Sequence, residues 1–189
     1  NSNHFGMTAH YALKLTEQKL IGIILSNGPP AIAPWGGKTP MLGTNPLCIG
    51  FPADKNDSII LDMAISTVAR GKIRLAALKG EKIPEGWAFD EEGNPTTDPV
   101  AALRGSLAAV GGPKGYGLAL SLDILCGLVT GSNSLRDVKA LDDFSGFSGT
   151  GFFLEAINIE SFVSYQEYLE NITKYIKEVK GCPKRTGVN

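Results

Sequence analysis

Histidine is the first residue type to consider in this sequence, because it is the side chain whose ordinary acid–base equilibrium lies nearest to neutral pH. The chain contains two histidines, His4 and His10. We expect His4 in the first turn of a helix, where the positive end of the helix dipole and free backbone N–H groups attract an anion. We expect His10 on the surface of the same helix. His4 is therefore the main candidate for a general acid or base, and a histidine without a role is the alternative.

A glycine-rich segment that ends in Gly-Lys-Thr raises the question of a phosphate-binding P-loop. Trp35–Thr39 carries this ending, but the earlier glycine that a P-loop requires is replaced by Ile32. Pro34 removes a backbone donor, and Pro40 blocks the helix that should follow. We therefore expect no phosphoryl transfer by this segment and a tight surface turn instead.

A second glycine-rich segment, Gly111–Gly117, leads directly into a predicted buried helix. Its glycines allow a ligand to approach the backbone, Pro113 suits a helix start, and Lys114 adds a positive charge there. It does not match the Gly-x-Gly-x-x-Gly dinucleotide fingerprint, because the third glycine would fall at Leu120. Lys114 is therefore a candidate anion-binding residue, and a glycine-rich helix start without a ligand is the alternative.

Polar residues at strand ends are further candidates. Asp62 ends the apolar run Ile59–Leu61, where its carboxylate could accept hydrogen bonds from hydroxyls such as those of a ribose. Such an aspartate can also simply cap the next turn. Thr44 and Asn45 offer compact polar groups beside another strand. No ligand set has metal spacing, and the three cysteines form no Cys-x-x-Cys pair, so no metal site is predicted.

Composition limits the partners and the number of domains. The 189 residues are 43% apolar with a net charge of -1, which suits one sizeable core and gives no electrostatic reason to expect nucleic acid or an anionic membrane. Apolar runs such as Leu20–Leu25 are too short to cross a bilayer. We expect a soluble, cytoplasmic protein. Because the sequence begins without Met and goes almost directly into a helical pattern, we also expect it to be a piece of a longer protein.

Helices and strands are mixed along the chain without a regular β-α alternation. This order predicts an α+β fold with a mixed, mostly antiparallel β-sheet flanked by helices. The polar turn Asp54–Asp57 between two predicted strands indicates a hairpin. The predicted strands are Leu20–Leu25, Leu47–Phe51, Ile59–Met63 and Gly151–Ile159.

Helical periodicity and capping residues predict the helices. In the last two, the spacing predicts that Leu118, Leu122, Leu125 and Val129, and then Tyr165, Leu169, Ile172, Ile176 and Val179, point inward, with Cys126 a buried thiol. The predicted helices run from a cap at Ser2 or Asn3 to about Lys19, from Ile65 to about Leu78, from Pro113 to before Gly131, and from the Ser164-x-x-Glu167 capping box to Gly181.

Seven motifs occur in an order that resembles the malate/L-lactate dehydrogenase family, whose NAD(P)-binding domain is not a Rossmann fold. The family also includes ureidoglycolate, sulfolactate and diketogulonate oxidoreductases and cyclic-imine reductases. The resemblance runs from the first residue to about Ile159. The motifs are Ser2–Gly6, Trp35–Gly37, Gly43–Leu47, Leu61–Ala64, Ile83–Ala88, Pro95–Pro99 and Pro113–Leu118.

The resemblance implies NAD(P)-dependent interconversion of a 2-hydroxy acid and a 2-oxo acid, with malate or L-lactate as the default substrate and NAD as the preferred cofactor, on a homodimer. His4 is similar to the family's proton acceptor. Thr44 and Asn45 become candidates on the substrate side. The cofactor-binding positions that the resemblance implies are His4, Phe5, Gly6, Ser26, Asn27, Gly28, Asp62, Met63, Ala64 and Lys114.

The sequence departs from the family pattern in two respects. Ile65 stands where the family usually has Thr. Family chains also begin with a helical region whose Ser-His and Arg help to bind the substrate carboxylate, and they continue past this C-terminus. We therefore expect residues 1–189 to form the NAD(P)-binding domain of a longer chain. The alternatives are a ureidoglycolate or sulfolactate dehydrogenase, a cyclic-imine carboxylate reductase, or a cofactor-binding module without turnover of its own.

Overall fold

The computed structural model describes residues 3–54 and 58–186. Helices and strands follow one another without regular alternation. The α-helices are α1 (Thr8–Glu17), α2 (Arg70–Lys79), α3 (Pro99–Arg104), α4 (Pro113–Asp123) and α5 (Tyr165–Lys180). The strands are β1 (Leu20–Ser26), β2 (Leu47–Phe51), β3 (Ile59–Met63), β4 (Ala88–Phe89), β5 (Pro95–Thr96), β6 (Ser106–Leu107) and β7 (Phe152–Asn158).

The main sheet has four strands in the order β3-β2-β1-β7, and every pairing in it is antiparallel. The apolar strand β1 lies inside this sheet and pairs with β7 from Leu20 opposite Asn158 to Ser26 opposite Phe152. A smaller antiparallel sheet has the order β5-β4-β6. The predicted α+β class and the β2–β3 pairing are confirmed, although residues 55–57 of the predicted hairpin turn lie outside the described residues.

Helix α1 packs on one face of the main sheet. Ala12, Ile24 and Cys48 are fully buried in this interface. A Cβ atom at Gly50 would lie 3.0 Å from the Cβ of Ala12 and 3.1 Å from Cγ2 of Thr16. Glycine on β2 therefore allows α1 to approach closely, which fixes the position of the chain that precedes the helix.

A second apolar core lies between the two sheets and helices α2 to α4. Its fully buried members include Ile32, Leu42, Ile65 and Ile73. Ile65 donates its N–H to the Thr44 carbonyl over 2.7 Å and accepts from Val110 N over 2.8 Å. The predicted helix start at Ile65 is therefore wrong, because this backbone is bonded to other loops, and α2 begins at Arg70.

The start of α1 also differs from the prediction. Asn3 does not cap the helix, which begins at Thr8 with Met7 in the capping position, and Ser2 lies outside the described residues. The backbone between Asn3 and Thr8 contains Gly6 with φ +91°, a left-handed conformation that interrupts any helix.

The buried faces predicted for the last two helices are only partly correct. Leu122 and Cys126 are buried as predicted, but Leu118 is 45% exposed and Val129 is 63% exposed. A π-helix over Ile124–Val129 extends α4 and shifts the phase of its side chains.

Ser164 caps α5 as predicted, since its Oγ accepts from Glu167 N over 3.3 Å. No residue of α5 is buried, however, so the predicted inward face does not reach a core. No helix among residues 3–54 and 58–186 has both the length and the hydropathy to span a bilayer.

Candidate active site

A cavity of about 420 Å³ opens between the chain before α1, the end of β1 and the segment that precedes β7. Its volume lies within the range of small-molecule sites, about 300–1,000 Å³. The structure brings most of the sequence-predicted site residues together around this cavity. The predicted residues that line it are His4, Phe5, Gly6, Ser26, Asn27, Gly28, Thr44 and Asp62.

Aromatic packing holds the segment that carries His4. The ring centroid of Phe5 lies 4.2 Å from that of Phe152 at the start of β7 and 4.9 Å from that of Tyr11 on α1. The Tyr11 hydroxyl also donates to the Phe5 carbonyl over 2.7 Å. These contacts fix Phe5, and the adjacent His4, which is exposed, therefore lies at the rim of the cavity.

The backbone N–H of Gly6 donates to Nδ1 of His4 over 3.0 Å. Because Nδ1 accepts this bond, the neutral ring carries its proton on Nε2, which is then the nitrogen that can donate to a ligand oxygen. His4 lies before α1 and not in its first turn. The expectation that the dipole of its own helix would act on His4 is therefore wrong. His10 is exposed on α1, as predicted.

Asp62 at the end of β3 joins the cavity wall to α1. Its Oδ1 accepts from Thr8 Oγ1 over 2.6 Å, and its Oδ2 accepts from Ala9 N over 2.9 Å. It therefore supplies the side-chain cap that Met7 cannot provide. The alternative predicted from the sequence was a cap for the turn after Asp62, whereas the helix that Asp62 caps lies earlier in the chain. Burial, aided by the negative charge of Asp62, raises the pKa of Cys48 to about 11.

A buried polar network supports the opposite wall. Asn27 is 3% exposed, its Nδ2 donates to Asn133 O over 2.8 Å and to Asp123 Oδ1 over 3.3 Å, and its Oδ1 accepts from Gly151 N over 2.9 Å. The hydroxyl of Ser26 donates to the carbonyls of Asn27 and Gly151. These bonds join the end of β1 to the segments around residues 133 and 151.

Asp123, at the end of α4, is the charged member of this network. It is 2% exposed, and its Oδ2 accepts from Leu135 N over 3.1 Å. Burial raises the pKa of Asp123, while the hydrogen bonds from Leu135 and Asn27 lower it to a lesser extent. No role for Asp123 was predicted from the sequence, since a single acidic residue in a helix gives no signal of burial.

Three further cavity residues, Lys139, Ser148 and Thr150, were missed by sequence analysis. They lie in an irregular segment without hydrophobic periodicity, so no pattern indicated which side chains face inward. A useful signal was the glycine at 149, which has φ +67° and turns the chain between two buried hydroxyl side chains.

Four predicted residues do not line the cavity. Met63 and Ala64 follow Asp62 along the chain, and Lys114 is exposed in the first turn of α4. The Val110–Ile65 hydrogen bond holds the loop before α4 against the segment that follows Ala64. The cofactor roles of these three residues remain predictions.

Asn45, the fourth, is fully buried with φ +32°, and its Nδ2 donates to Ala119 O over 2.8 Å. Its Oδ1 has no hydrogen-bond partner among the described residues. Asn45 therefore ties the loop that carries Thr44 to α4, and its side chain does not face the cavity. The substrate-side role remains a prediction.

The segment that resembles a P-loop forms a tight surface turn, as predicted. Gly37 N donates to Pro34 O over 2.8 Å, and Trp35 is 63% exposed. A second cavity of about 340 Å³ lies beside this turn, against Phe89 and Tyr116. The described residues contain no group of three His, Cys, Asp or Glu side chains that could hold a metal ion.

The chain is similar in sequence to proteins named as dehydrogenases. The chain is 42% identical over 184 residues to a malate/(S)-sulfolactate dehydrogenase of Methanothermus fervidus, which covers 97% of this chain and 54% of the relative. It is 43% identical over 182 residues to a (2R)-3-sulfolactate dehydrogenase (NADP(+)) of Chromohalobacter salexigens, which covers 95% and 55%. The chain thus spans about half the length of the curated relatives it matches.

The fold agrees with a solved structure of the same kind. Sulfolactate dehydrogenase from Methanocaldococcus jannaschii superposes with a TM-score of 0.91 at 41% identity, covering all of this chain and 54% of that one. The family profile described as malate/L-lactate dehydrogenase matches residues 1–189. The resemblance noted in the seven motifs is therefore confirmed, and the chain belongs to the malate/L-lactate dehydrogenase family.

Proposed function

We propose that this chain forms the cofactor-binding half of an NAD(P)-dependent oxidoreductase that interconverts a 2-hydroxy acid and a 2-oxo acid. The observation that carries the proposal is the cavity in which His4 and Asp62 meet the loop after β1. Membership of the family supports the reaction class. The malate and sulfolactate names of two relatives support an acid with a second anionic group as substrate.

The residues around the cavity fit a nicotinamide cofactor. At Gly28 an added Cβ would meet no atom within 4 Å, so the wall is open there and a flat ring has room to lie against the backbone. Phe5 contributes an apolar ring to the same cavity, while Ser26 and Asn27 keep the wall fixed through their buried hydrogen bonds. When bound, the nicotinamide supplies or accepts the hydride.

The protein must then manage one proton at the substrate oxygen. His4 is the candidate, because its Nε2 is the nitrogen left to bond a ligand when Gly6 occupies Nδ1. A hydrogen bond from Nε2 to the oxygen of a 2-oxo acid polarises the carbonyl. His4 can transfer the proton to that oxygen only as the imidazolium, in which Nδ1 also carries a proton and no longer accepts from Gly6 N–H, and the transfer leaves the neutral ring. In the reverse direction, the neutral ring accepts the hydroxyl proton on Nε2 and becomes the imidazolium.

The choice of cofactor and substrate belongs to this proposal as well. The expected preference for NAD has no support, since one relative is named for NADP(+), so we propose either nicotinamide cofactor. Malate or L-lactate is the substrate expected from the family, and sulfolactate or a cyclic imino acid is the alternative within it. A cofactor-binding module without turnover is the alternative from a different functional class.

A homodimer is part of the same proposal. Large apolar side chains remain exposed along α4 and the π-helix that follows it, which is typical of a surface that another chain or segment covers. They are Leu118, Leu120, Ile124, Leu128 and Val129. The cytoplasmic location remains a prediction from the sequence.

The test uses the protein at its full natural length. The absorbance of NADH or NADPH is followed with oxaloacetate, sulfopyruvate, pyruvate and a cyclic imino acid, and His4→Ala is compared with His10→Ala as the matched control. We expect His4→Ala to lower kcat by roughly 10²–10⁴-fold, the usual contribution of a positioned acid–base group, because the proton at the substrate oxygen loses its donor. His10→Ala should stay within twofold.

Two results would count against the proposal. Turnover by His4→Ala at the wild-type rate would show that another residue transfers the proton. Cofactor binding by the wild type without turnover of any of the four acids would favour the binding module. The wild-type assay separates the two results, because the wild type turns over an acid in the first and none in the second.

A further inference from the structure

One cationic residue lines the cavity around His4. Among the described residues that line this cavity, Lys139 is the only lysine or arginine, and Asp62 is the only carboxylate. Neither the family motifs nor the reaction proposed above assigns a task to Lys139. Its place in the wall therefore requires its own explanation.

The backbone at Lys139 is firmly held. Its N–H donates to Ser148 O over 3.0 Å, and the Ser148 hydroxyl donates back to the Lys139 carbonyl over 2.9 Å. The preceding Val138 is 1% exposed, and Ser148 also contacts the Thr150 hydroxyl at 2.9 Å. The lysine side chain thus projects from a fixed point of the wall.

The ammonium group of Lys139 has donors to spare. Its Nζ donates to Ser145 Oγ over 2.8 Å, and no carboxylate among the described residues lies within ion-pair distance of it. An ammonium has three N–H donors, so two of them remain for a ligand. Asp143 lies nearby but outside this cavity. Its pKa is lowered mainly by hydrogen bonds from Ser145, and the charge of Lys139 contributes least.

The carboxylate of Asp62, the negative charge in the cavity, is already hydrogen-bonded within the protein. Both oxygens of Asp62 accept hydrogen bonds from Thr8 and Ala9 at the start of α1. This carboxylate therefore faces the positive end of the helix dipole, which offsets its charge. Because Asp62 is hydrogen-bonded within the protein and Lys139 has no carboxylate partner among the described residues, the cavity favours a ligand that carries negative charge.

We propose that Lys139 binds an anionic group of the ligand that occupies this cavity. The inference rests on the function proposed above and deepens it. The anion is a carboxylate, sulfonate or phosphate. It is either the second acidic group of a 2-oxo acid or a phosphate of the dinucleotide. Loss of Lys139 raises KM for the acid in the first case and KM for the cofactor in the second.

The experiment compares Lys139→Gln and Lys139→Arg in the protein at its full natural length, with Lys79→Gln at the exposed end of α2 as the control. If the substrate supplies the anion, Lys139→Gln raises KM for oxaloacetate and sulfopyruvate by roughly tenfold to hundredfold, which is the scale of a hydrogen bond to a charged group. KM for pyruvate, which has no second acidic group, then stays within about twofold of the wild-type value. If the cofactor supplies it, KM for NADH and NADPH rises instead, equally with every acid.

Lys139→Arg should recover most of the lost affinity, because the charge is kept, and Lys79→Gln should behave as wild type. A binding measurement removes the dependence on turnover. Calorimetric titration with malonate or inorganic phosphate should show a dissociation constant about tenfold weaker in Lys139→Gln. Added salt should weaken binding more in wild type than in this variant.

The inference is overturned if Lys139→Gln keeps every KM and both dissociation constants within twofold of wild type. This failure differs from failure of the proposed function. In the first case the wild type reduces 2-oxo acids and Lys139 has no effect. In the second, no acid is reduced, although anion binding still depends on Lys139.

Discussion

The cavity wall and helix α5 are attached to the fold in opposite ways. In the network that supports the wall, buried Asn27 and Asp123 bond to each other and to chain segments distant in sequence. Helix α5 is 16 residues long and has an apolar face, yet none of its residues is buried. Its hydrogen bond to the sheet region joins the Tyr168 hydroxyl to the Pro52 carbonyl over 2.9 Å.

This difference shows that amphipathic periodicity and structural attachment are separate properties. Periodicity predicts that a helix has an apolar face, but it does not say which surface covers that face. Buried hydrogen bonds between distant segments fix those segments to each other, because breaking one leaves a buried polar group without a partner. Substitutions in the two regions should therefore differ strongly in cost.

Among the substitutions that break polar contacts of the site, the largest expected effect is that of Asp123→Ala. The substitution leaves the Leu135 N–H without its acceptor and removes one of two acceptors of Asn27 Nδ2, so we expect a loss of roughly 2–3 kcal/mol of unfolding free energy, measured in urea. Leu135 has φ +52°, a strained conformation that this bond helps to hold. A loss below about 1 kcal/mol would mean that the network does not anchor the wall.

The pH dependence of the same variant gives an independent check. Burial raises the pKa of Asp123 above its usual 3.8, so the folded state favours the protonated acid. This contribution to stability is therefore greatest at low pH and is lost as the pH rises from 3.8 through the raised value. Relative to Asp123→Ala, wild type should become less stable over that interval, and parallel stability curves would contradict the assignment.

The second effect concerns the other wall of the cavity. Asp62→Ala removes the acceptor of Thr8 Oγ1 and Ala9 N, and α1 has no side-chain cap of its own. We expect a loss of about 1–2 kcal/mol in urea unfolding, the usual cost of a lost helix cap. Asp62→Asn retains one acceptor and should lose about half as much. Equal losses in the two variants would show that charge, and not the cap, is what stabilises the helix start.

The sequence predicted those parts of the fold that local patterns determine. Short apolar runs predicted the four strands of the main sheet, and the capping box predicted the start of α5. The start of α1 was predicted too early because its cap, Asp62, lies 54 residues away from Thr8. No local signal reveals a cap that comes from another strand.

The site shows the same limit. His4 and Asp62 were predicted from residue type and family motifs, and the structure brings both to one cavity. Lys139 and Asp123 were not, because a lysine in an irregular segment and a single acid in a helix are usually solvated. Their roles depend on pairings such as Lys139 with Ser148, which only the folded chain brings together.

The smallest expected effect is on α5. Val179 is 58% exposed, so Val179→Ser should change the free energy of unfolding by less than about 0.5 kcal/mol. The same substitution at Val138, which is 1% exposed beside Lys139, is the matched control and should cost about 2–4 kcal/mol through a lost apolar contact and a buried hydroxyl. Both are measured by urea unfolding of the protein at its full natural length. A loss above about 1 kcal/mol at Val179 would show that another segment or subunit covers α5, and the contrast between the two regions would then disappear.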